Sequence, residues 1–454
     1  MTTKGDTMSR YAVTNPATGQ VEESFETFTD EQVAAAVDAA DEAYRTWGRT
    51  TTIEQRAALM RKAVAAYRDQ QQELATIINH EMGKLMDEAL VEVEFSAEIL
   101  EYYADHAAEF LADEPIDRAA AGTAFIRHLP IGPLVGVMPW NYPYYQVARF
   151  AGPNLMLGNT IMLKHASLCP KSSAAMERIF LEAGFPKGAF VNMYATNEQI
   201  AKVIADPRVR GVSLTGSERA GKAIAQEAGA ALKKVVCELG GNDAFIVMSV
   251  DDLGAAVEAG ANARYENSGQ ICNGAKRFII IDSLYDEFLK RFIKVSKERK
   301  LAPLCSVSAA DGLAAQVQAA IDDGAKVVLG GTEHDGAFYP ATILTDIPEG
   351  SAARHTEFFG PVAQFYRVSS EDEAIAVAND SPYGLGSYVF TTDSEQGLRF
   401  ADRLESGMTY INESGADSAE LPFGGVKNSG FGREMGPLGI REFANYKLVT
   451  EAAH

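Results

Sequence analysis

Apolar residues in the first hundred positions recur at helical spacing. The segments "EQVAAAVDAADEAYRTW", "IEQRAALMRKAVAAYRDQQQELATIINHEM" and "LMDEALVEVEFSAEILEYYADHAAEFL" predict successive amphipathic helices. Asp30 is placed to cap the first, and Gly83 punctuates the series. Beyond residue 130 the pattern changes to short apolar runs of strand length between amphipathic stretches: "PLVGVMPW", "NTIMLKHA", "AFVNMYA", "VRGVSLTG", "KKVVCELGG" and "AFIVMS". A second block runs through "AKRFIIID", "AKVVLGG", "GPVAQFYRV", "YGLGSYVFT" and "GMTYINE". Alternation of this kind predicts parallel sheets covered by helices, with two α/β units meeting near residue 240. Ligands of such sheets bind at strand ends, and there the polar, glycine-rich segments "PWNYP", "TGSERAG" and "ELGGND" collect.

Composition narrows the function. The chain has 454 residues, 46% hydrophobic, with a formal net charge of -21, which argues against nucleic acid or an anionic membrane as partner. No uninterrupted apolar run of about 18 residues is present, and "MTTKGDTMSRYAVTNPATGQ" lacks a signal core, so a cytoplasmic setting is expected. Cys169, Cys237, Cys272 and Cys305 are widely spaced without a histidine cluster, so neither a disulfide framework nor a metal site is expected.

One of these thiols stands out. Cys272, in "ENSGQICNGAKRF", sits in a polar loop between Gly269 and Gly274, whereas an ordinary cysteine is a small buried hydrophobe. Glycines there allow close approach to a bound group. Glu238 ends an apolar strand before two glycines, and a carboxylate turned into a cleft can serve as a base; a solvated acid is the simpler reading. Asn141, flanked by Pro139 and Pro143, could donate to an oxyanion or make an Asx turn. Gly216 and Ser217 open a helix, a natural anion site, and Lys164 ends a strand where it could meet a ribose or phosphate. Taken singly, each signal is weak.

Their order is specific. "PWNYP", "LKHAS", "LTGSERAG", "ELGGND", "NSGQIC", "EFFGPV" and "PFGGVKNSGFGRE", framed by "NPATG" and "REFANYK", give the chain a whole-length resemblance to the aldehyde dehydrogenase superfamily. "LKHAS", "ELGGND" and "AKRFI" look most like bacterial succinate-semialdehyde dehydrogenases. The resemblance implies an aldehyde dehydrogenase-like α/β fold in three regions. A Rossmann-type cofactor domain would span residues 1–115 and 133–239, and an α/β catalytic domain residues 240–428. A small β oligomerisation element would combine 116–132 with 440–454, in a homodimer or homotetramer.

It also implies roles. Cys272 would be the nucleophile, Glu238 the base that releases the acid, and Asn141 with the Cys272 N–H the oxyanion donors. Trp140, Lys164, Ser167, Gly216, Ser217, Glu357 and Phe359 would bind the cofactor. Three residues after Lys164, where NAD-preferring relatives often carry a glutamate, stands Ser167, so NADP is expected to be preferred, with NAD possible. Arg149 and Ser418 match positions that contact the substrate carboxylate in succinate-semialdehyde dehydrogenases, and Tyr145 lies beside them. Against that, Glu266 stands six residues before Cys272 where some members add an arginine; it either pairs with Arg149 or Arg264 or disfavours an anionic tail. A neutral or amine-bearing aldehyde, drawn by Glu266, Tyr144 and Tyr145, is the alternative substrate. Release of a CoA thioester is disfavoured by Glu238, and a catalytically silent binding protein by the intact Cys272, Glu238 and Asn141. After "VSKERK" the chain passes straight to "LAPLCS", where relatives carry a longer segment; either the connection is truly short or a mobile loop stands outside the sequence.

Overall fold

A computed structural model describes residues 11–415 and 417–453. The first surprise is a hairpin, Tyr11–Asn15 with Gln20–Phe25, ahead of the helices expected throughout this region. It was hidden because only one strand, with Tyr11 and Val13 inward, carries apolar alternation. Helices follow at Asp30–Ala43, Ile53–Asp69, Gln71–Met82 and Met86–Phe110. The cap of the first is Thr29, not Asp30: its hydroxyl accepts from the Gln32 N–H while the Gln32 side chain accepts from the Thr29 N–H. That reciprocal pair satisfies two otherwise unpaired donors, which a cap on Asp30 would not. Gly83 ends the third helix in the left-handed region, at φ 83°.

The first sheet has strand order Gly430–Phe431, Lys234–Glu238, Gly211–Thr215, Pro133–Met138, Thr160–His165, Phe190–Asn192. All neighbours are parallel except Gly430–Phe431, which returns from the far end of the chain. Both faces are covered, so Pro133–Met138 and Gly211–Thr215 are almost wholly buried and read as unbroken apolar runs. The second sheet runs Lys326–Leu329, Thr342–Thr345, Val362–Val368, Ala275–Ile281, Asp243–Val247, Ser387–Phe390, Tyr410–Ile411. Its core is aromatic, with Phe278 stacked on Phe365 at 4.9 Å and Phe245 on Phe390 at 4.8 Å. Burying each such ring contributes about 1.5–3 kcal/mol. Glu114–Pro115, Thr123–Pro130 and Ala444–Glu451 form a separate three-stranded antiparallel sheet.

The loops after Pro133–Met138 and Lys234–Glu238 reach the loop that enters Ala275–Ile281: Asn141 donates to the Gln270 carbonyl, and Gly241 packs against the Cys272 carbonyl. The short connection after Lys300 runs directly into the helix Val307–Asp322 and is buried at Ala302, Leu304 and Cys305. It packs beneath the Cys272 loop: Ser268 donates to the Ala302 carbonyl at 2.9 Å, and the Cys305 N–H donates to Gln270 at 2.9 Å.

A buried ion pair orients the helix Tyr145–Leu157. Lys84 and Glu92 are fully enclosed and paired, with the Lys84 ammonium 3.5 Å above the Tyr142 ring. Glu92 also accepts the N–H groups of Tyr144 and Tyr145 at 2.9 and 3.4 Å, where the helix dipole favours a negative charge. Removing one partner strands a buried charge. Lys84→Met is therefore expected to lower stability to urea by about 3–5 kcal/mol. The double variant Lys84→Met, Glu92→Gln should lose less, because glutamine still accepts those N–H groups without an unpaired charge. A double variant less stable than Lys84→Met would refute this account.

Candidate active site

Four strand ends of the first sheet each deliver one expected group. Trp140 and Asn141 follow Pro133–Met138, Lys164 lies near the end of Thr160–His165, Gly216 and Ser217 follow Gly211–Thr215, and Glu238 ends Lys234–Glu238. Cys272 lies on the facing side, before Ala275–Ile281, and is half-buried while the other three cysteines are buried.

The turn before Cys272 is strained. Asn267, Ser268 and Gly269 hold φ of 48°, 53° and 77°. For the two residues with side chains, that left-handed backbone costs of order 1–3 kcal/mol each. Bonds from several elements hold it. Asn267 donates from its side chain to the Asn141 carbonyl at 2.9 Å and from its backbone to Glu88 at 3.0 Å. Arg264 donates to the Gly269 carbonyl at 2.7 Å. The Asn141 amide donates to the Gln270 carbonyl at 3.0 Å, which fixes it beside the nucleophile loop with a second N–H to spare.

Glu238 is buried, and neither carboxylate oxygen has a hydrogen-bond partner. Burial raises its pKa well above the ordinary carboxylate range, with Glu434 adding to the rise and Arg149 and Arg433 opposing it. Residues of "PFGGVKNSGFGRE" wall it in. The Gly430 backbone pairs with it from a φ of 114°, and a Cβ there would fall 1.9 Å from the Cys237 carbonyl oxygen. Burial likewise pushes the Cys272 thiol up to about 12, while Arg149 and Lys276 draw it down. Resting cysteine is thus protonated, and a carboxylate of raised basicity stands within its electrostatic reach.

The cofactor residues fit a dinucleotide phosphate. Ser217 caps the helix Glu218–Ala230, accepting from the Ala220 N–H at 3.3 Å, and a Cβ on Gly216 would meet nothing within 4 Å. Lys164 is half-buried, and its pKa is lowered by burial with no acid among the described residues to offset that, which leaves it a cation without a counterion. Ser167, three residues on, brings no negative charge. Trp140 and Phe359 meet edge to face at 5.8 Å, and Glu357 accepts the Gly241 N–H at 2.9 Å.

A cavity of about 610 Å³ opens over Cys272. Tyr145 lines it, but Arg149 and Ser418 are not among its lining residues. Arg149 is fully buried, gripped by Glu434 at 2.6 Å, with its guanidinium 4.2 Å from the Phe423 ring and 4.9 Å from the Tyr145 ring. It lies behind two side chains that line the cavity, and one of its nitrogens, Nη2, has no partner. Glu266 pairs with neither Arg149 nor Arg264; it accepts from the Tyr142 hydroxyl at 2.8 Å. The cavity wall instead carries acids the sequence reading did not single out: Glu88 and Asp417 join Glu266. Asp417 accepts from Asn273 and Tyr410 at 3.3 Å. Burial raises the pKa of both Glu88 and Asp417, Arg149 opposing the rise at Asp417, so each keeps its proton to higher pH than a free acid.

Known proteins resemble this chain over nearly all of its length. The Aldehyde dehydrogenase family profile matches residues 2–449. A succinate-semialdehyde dehydrogenase (NADP+) of Deinococcus radiodurans is 48% identical over 451 residues, covering 97% of this chain and 94% of that protein. One of the same name from Mycobacterium avium is 41% identical, covering 96% of each. The crystal structure of succinic semialdehyde dehydrogenase from Streptococcus pyogenes, in complex with NADP+, superposes with a TM-score of 0.95 at 40% identity, covering 98% of this chain and all of that one.

Proposed function

The chain belongs to the aldehyde dehydrogenase family, and from that premise we propose that it oxidises succinate semialdehyde, or a similar short aldehyde, to the acid with NADP. The observation that carries this reading is a half-buried cysteine facing a buried carboxylate with no partner of its own. The Cys272 thiol gives up its proton to solvent water and its sulfur attacks the aldehyde carbon, forming a C–S bond while the carbonyl electrons move to oxygen. The Asn141 amide and the Cys272 N–H hold that oxygen. As the oxyanion electrons return to re-form the carbonyl, the carbon gives up its hydride and becomes a thioester; Lys164, Ser167, Ser217 and Glu357 would hold the NADP whose nicotinamide would accept that hydride. Glu238 then takes a proton from water, whose oxygen attacks the thioester, and the sulfur leaves with its electron pair. The three-stranded sheet, with Tyr446 and Leu448 exposed, would serve assembly into a dimer or tetramer.

A second substrate reading rests on the acids around the cavity. Glu88, Glu266 and Asp417 suit an amine-bearing or neutral aldehyde better than an anion, unless they are protonated.

Cys272→Ser should abolish aldehyde oxidation, whereas Glu238→Gln should give a burst of reduced cofactor followed by a slow steady state. Because the Glu238 pKa is raised, wild-type turnover should fall as pH drops through a midpoint above the usual carboxylate range, and that limb should vanish in Glu238→Gln. An unchanged steady-state rate in Glu238→Gln removes it as the base.

Ser167→Glu should shift kcat/KM toward NAD, since a carboxylate repels a 2′-phosphate and accepts from a 2′-hydroxyl. A wild-type preference for NAD would contradict the cofactor assignment.

Substrate choice is read from a panel of succinate semialdehyde, butyraldehyde and an aminoaldehyde at rising pH. As Glu88 and Asp417 lose their protons the KM for succinate semialdehyde should rise, while that for butyraldehyde stays level. An aminoaldehyde preferred at every pH would favour the second reading.

A further inference from the structure

The segment "AKRFI" contains a buried lysine that the mechanism above does not use. Lys276, at the start of Ala275–Ile281, is fully enclosed, and its ammonium points back into the nucleophile loop. It donates to the carbonyls of Ile271 and Cys272 at 2.7 Å each and of Gly274 at 3.3 Å, and lies 3.6 Å from the Glu357 carboxylate. An ammonium has three N–H donors and no acceptor, which suits a site walled by oxygen atoms; a neutral amine would turn its lone pair on one of them. Burial opposes the charge here, and Glu357 is the largest influence supporting it.

We propose that Lys276 is the positioning residue of the nucleophile: anchored by Glu357, it holds the carbonyls of residues 271, 272 and 274 and so fixes the Cys272 N–H and sulfur beside a buried positive charge. The inference rests on the reading of Cys272 as nucleophile. Three carbonyls drawn to one cation orient the loop's peptide planes, so the Cys272 N–H is directed as well as its side chain. The loop's strain demands such an anchor, since Asn267 and Ser268 just before it are both left-handed.

The groups that act on the sulfur come from every element around it. Arg149 approaches from Tyr145–Leu157, Glu238 from Lys234–Glu238, Glu357 from the loop before Val362–Val368, Tyr145 from the cavity wall and Tyr410 from the strand Tyr410–Ile411. Lys276 itself faces Glu357, Asp243 and Arg264. Only Arg149 and Lys276 among these draw the thiol pKa down, and Lys276 alone of the two also bonds the loop.

The test is alkylation of the full chain by iodoacetamide in the absence of aldehyde, following the Cys272 peptide by mass across a pH series. Alkylation tracks the thiolate, so a rise of one pKa unit slows it about tenfold at a fixed pH below the midpoint. Lys276→Gln keeps two N–H donors but no charge. It should slow alkylation about tenfold and move the profile to higher pH, with an unfolding temperature near wild type. Lys276→Met, lacking donors as well, should slow it at least as much and also lose stability. A wild-type profile in Lys276→Gln overturns the proposal. Alkylation needs no aldehyde, so the two readings fail separately. A chain that oxidises no aldehyde but shows these shifts loses the function above and keeps this role for Lys276. One that oxidises aldehydes with unshifted alkylation does the reverse.

Discussion

The site depends on keeping a strained turn closed. Asn267 and Ser268 sit in a backbone region that residues with side chains avoid, and they are buried, so no solvent relieves them. What holds them is hydrogen bonding from separate parts of the chain: Asn141 beyond the first sheet, Arg264 on the preceding helix, Ala302 and Cys305 in the short connection. A left-handed turn precedes Cys272, which lines the cavity. Oxyanion donors have to be fixed before reaction, because reorganising dipoles during the step raises the barrier. Strain in the loop is offset by a fully bonded surround.

Close approach between the sheets is the second half of that constraint. Gly241 passes so near the nucleophile loop that a Cβ on it would lie 2.3 Å from the Cys272 carbonyl oxygen. The same residue donates to Glu357, which in turn faces Lys276. Leu239 and Gly240, just after Glu238, are bonded to Ser429 at 2.9 and 2.7 Å. Cys272, Glu238 and Glu357 are thus linked through closely packed backbone.

Electrostatics follow from this enclosure. Burial pushes the Cys272 thiol and the Glu238 carboxyl toward their neutral forms, and Arg149 opposes both. Arg149 can remain charged in the interior because Glu434 grips it, and Glu434 also accepts from Ser213 at 3.1 Å. Its position behind Phe423 and Tyr145 makes it a source of field at the reacting atoms and not part of the cavity surface.

Local sequence determined a good deal. Apolar runs such as "PLVGVMPW" and "AKRFIIID" are strands because nothing else buries them on both faces, and Cys272, Glu238 and Asn141 were legible because turn residues and ordered motifs surround each. The hairpin at Tyr11–Phe25 was not legible, since its second strand is mostly solvent-facing and carries no apolar alternation. Thr29 rather than Asp30 caps the first helix through a reciprocal bond whose geometry no spacing rule settles against its neighbour. Arg149, Asp417 and Lys276 mark the real limit. Which way a long charged side chain turns depends on partners far along the chain, as Glu434 is for Arg149 and Glu357 for Lys276. Motif order could place these residues near the site. Only tertiary packing could decide that Arg149 turns to a buried carboxylate, that Asp417 faces the cavity, and that Lys276 bonds the Ile271 and Cys272 carbonyls, because the energy of a buried charge is set by whatever the fold brings against it.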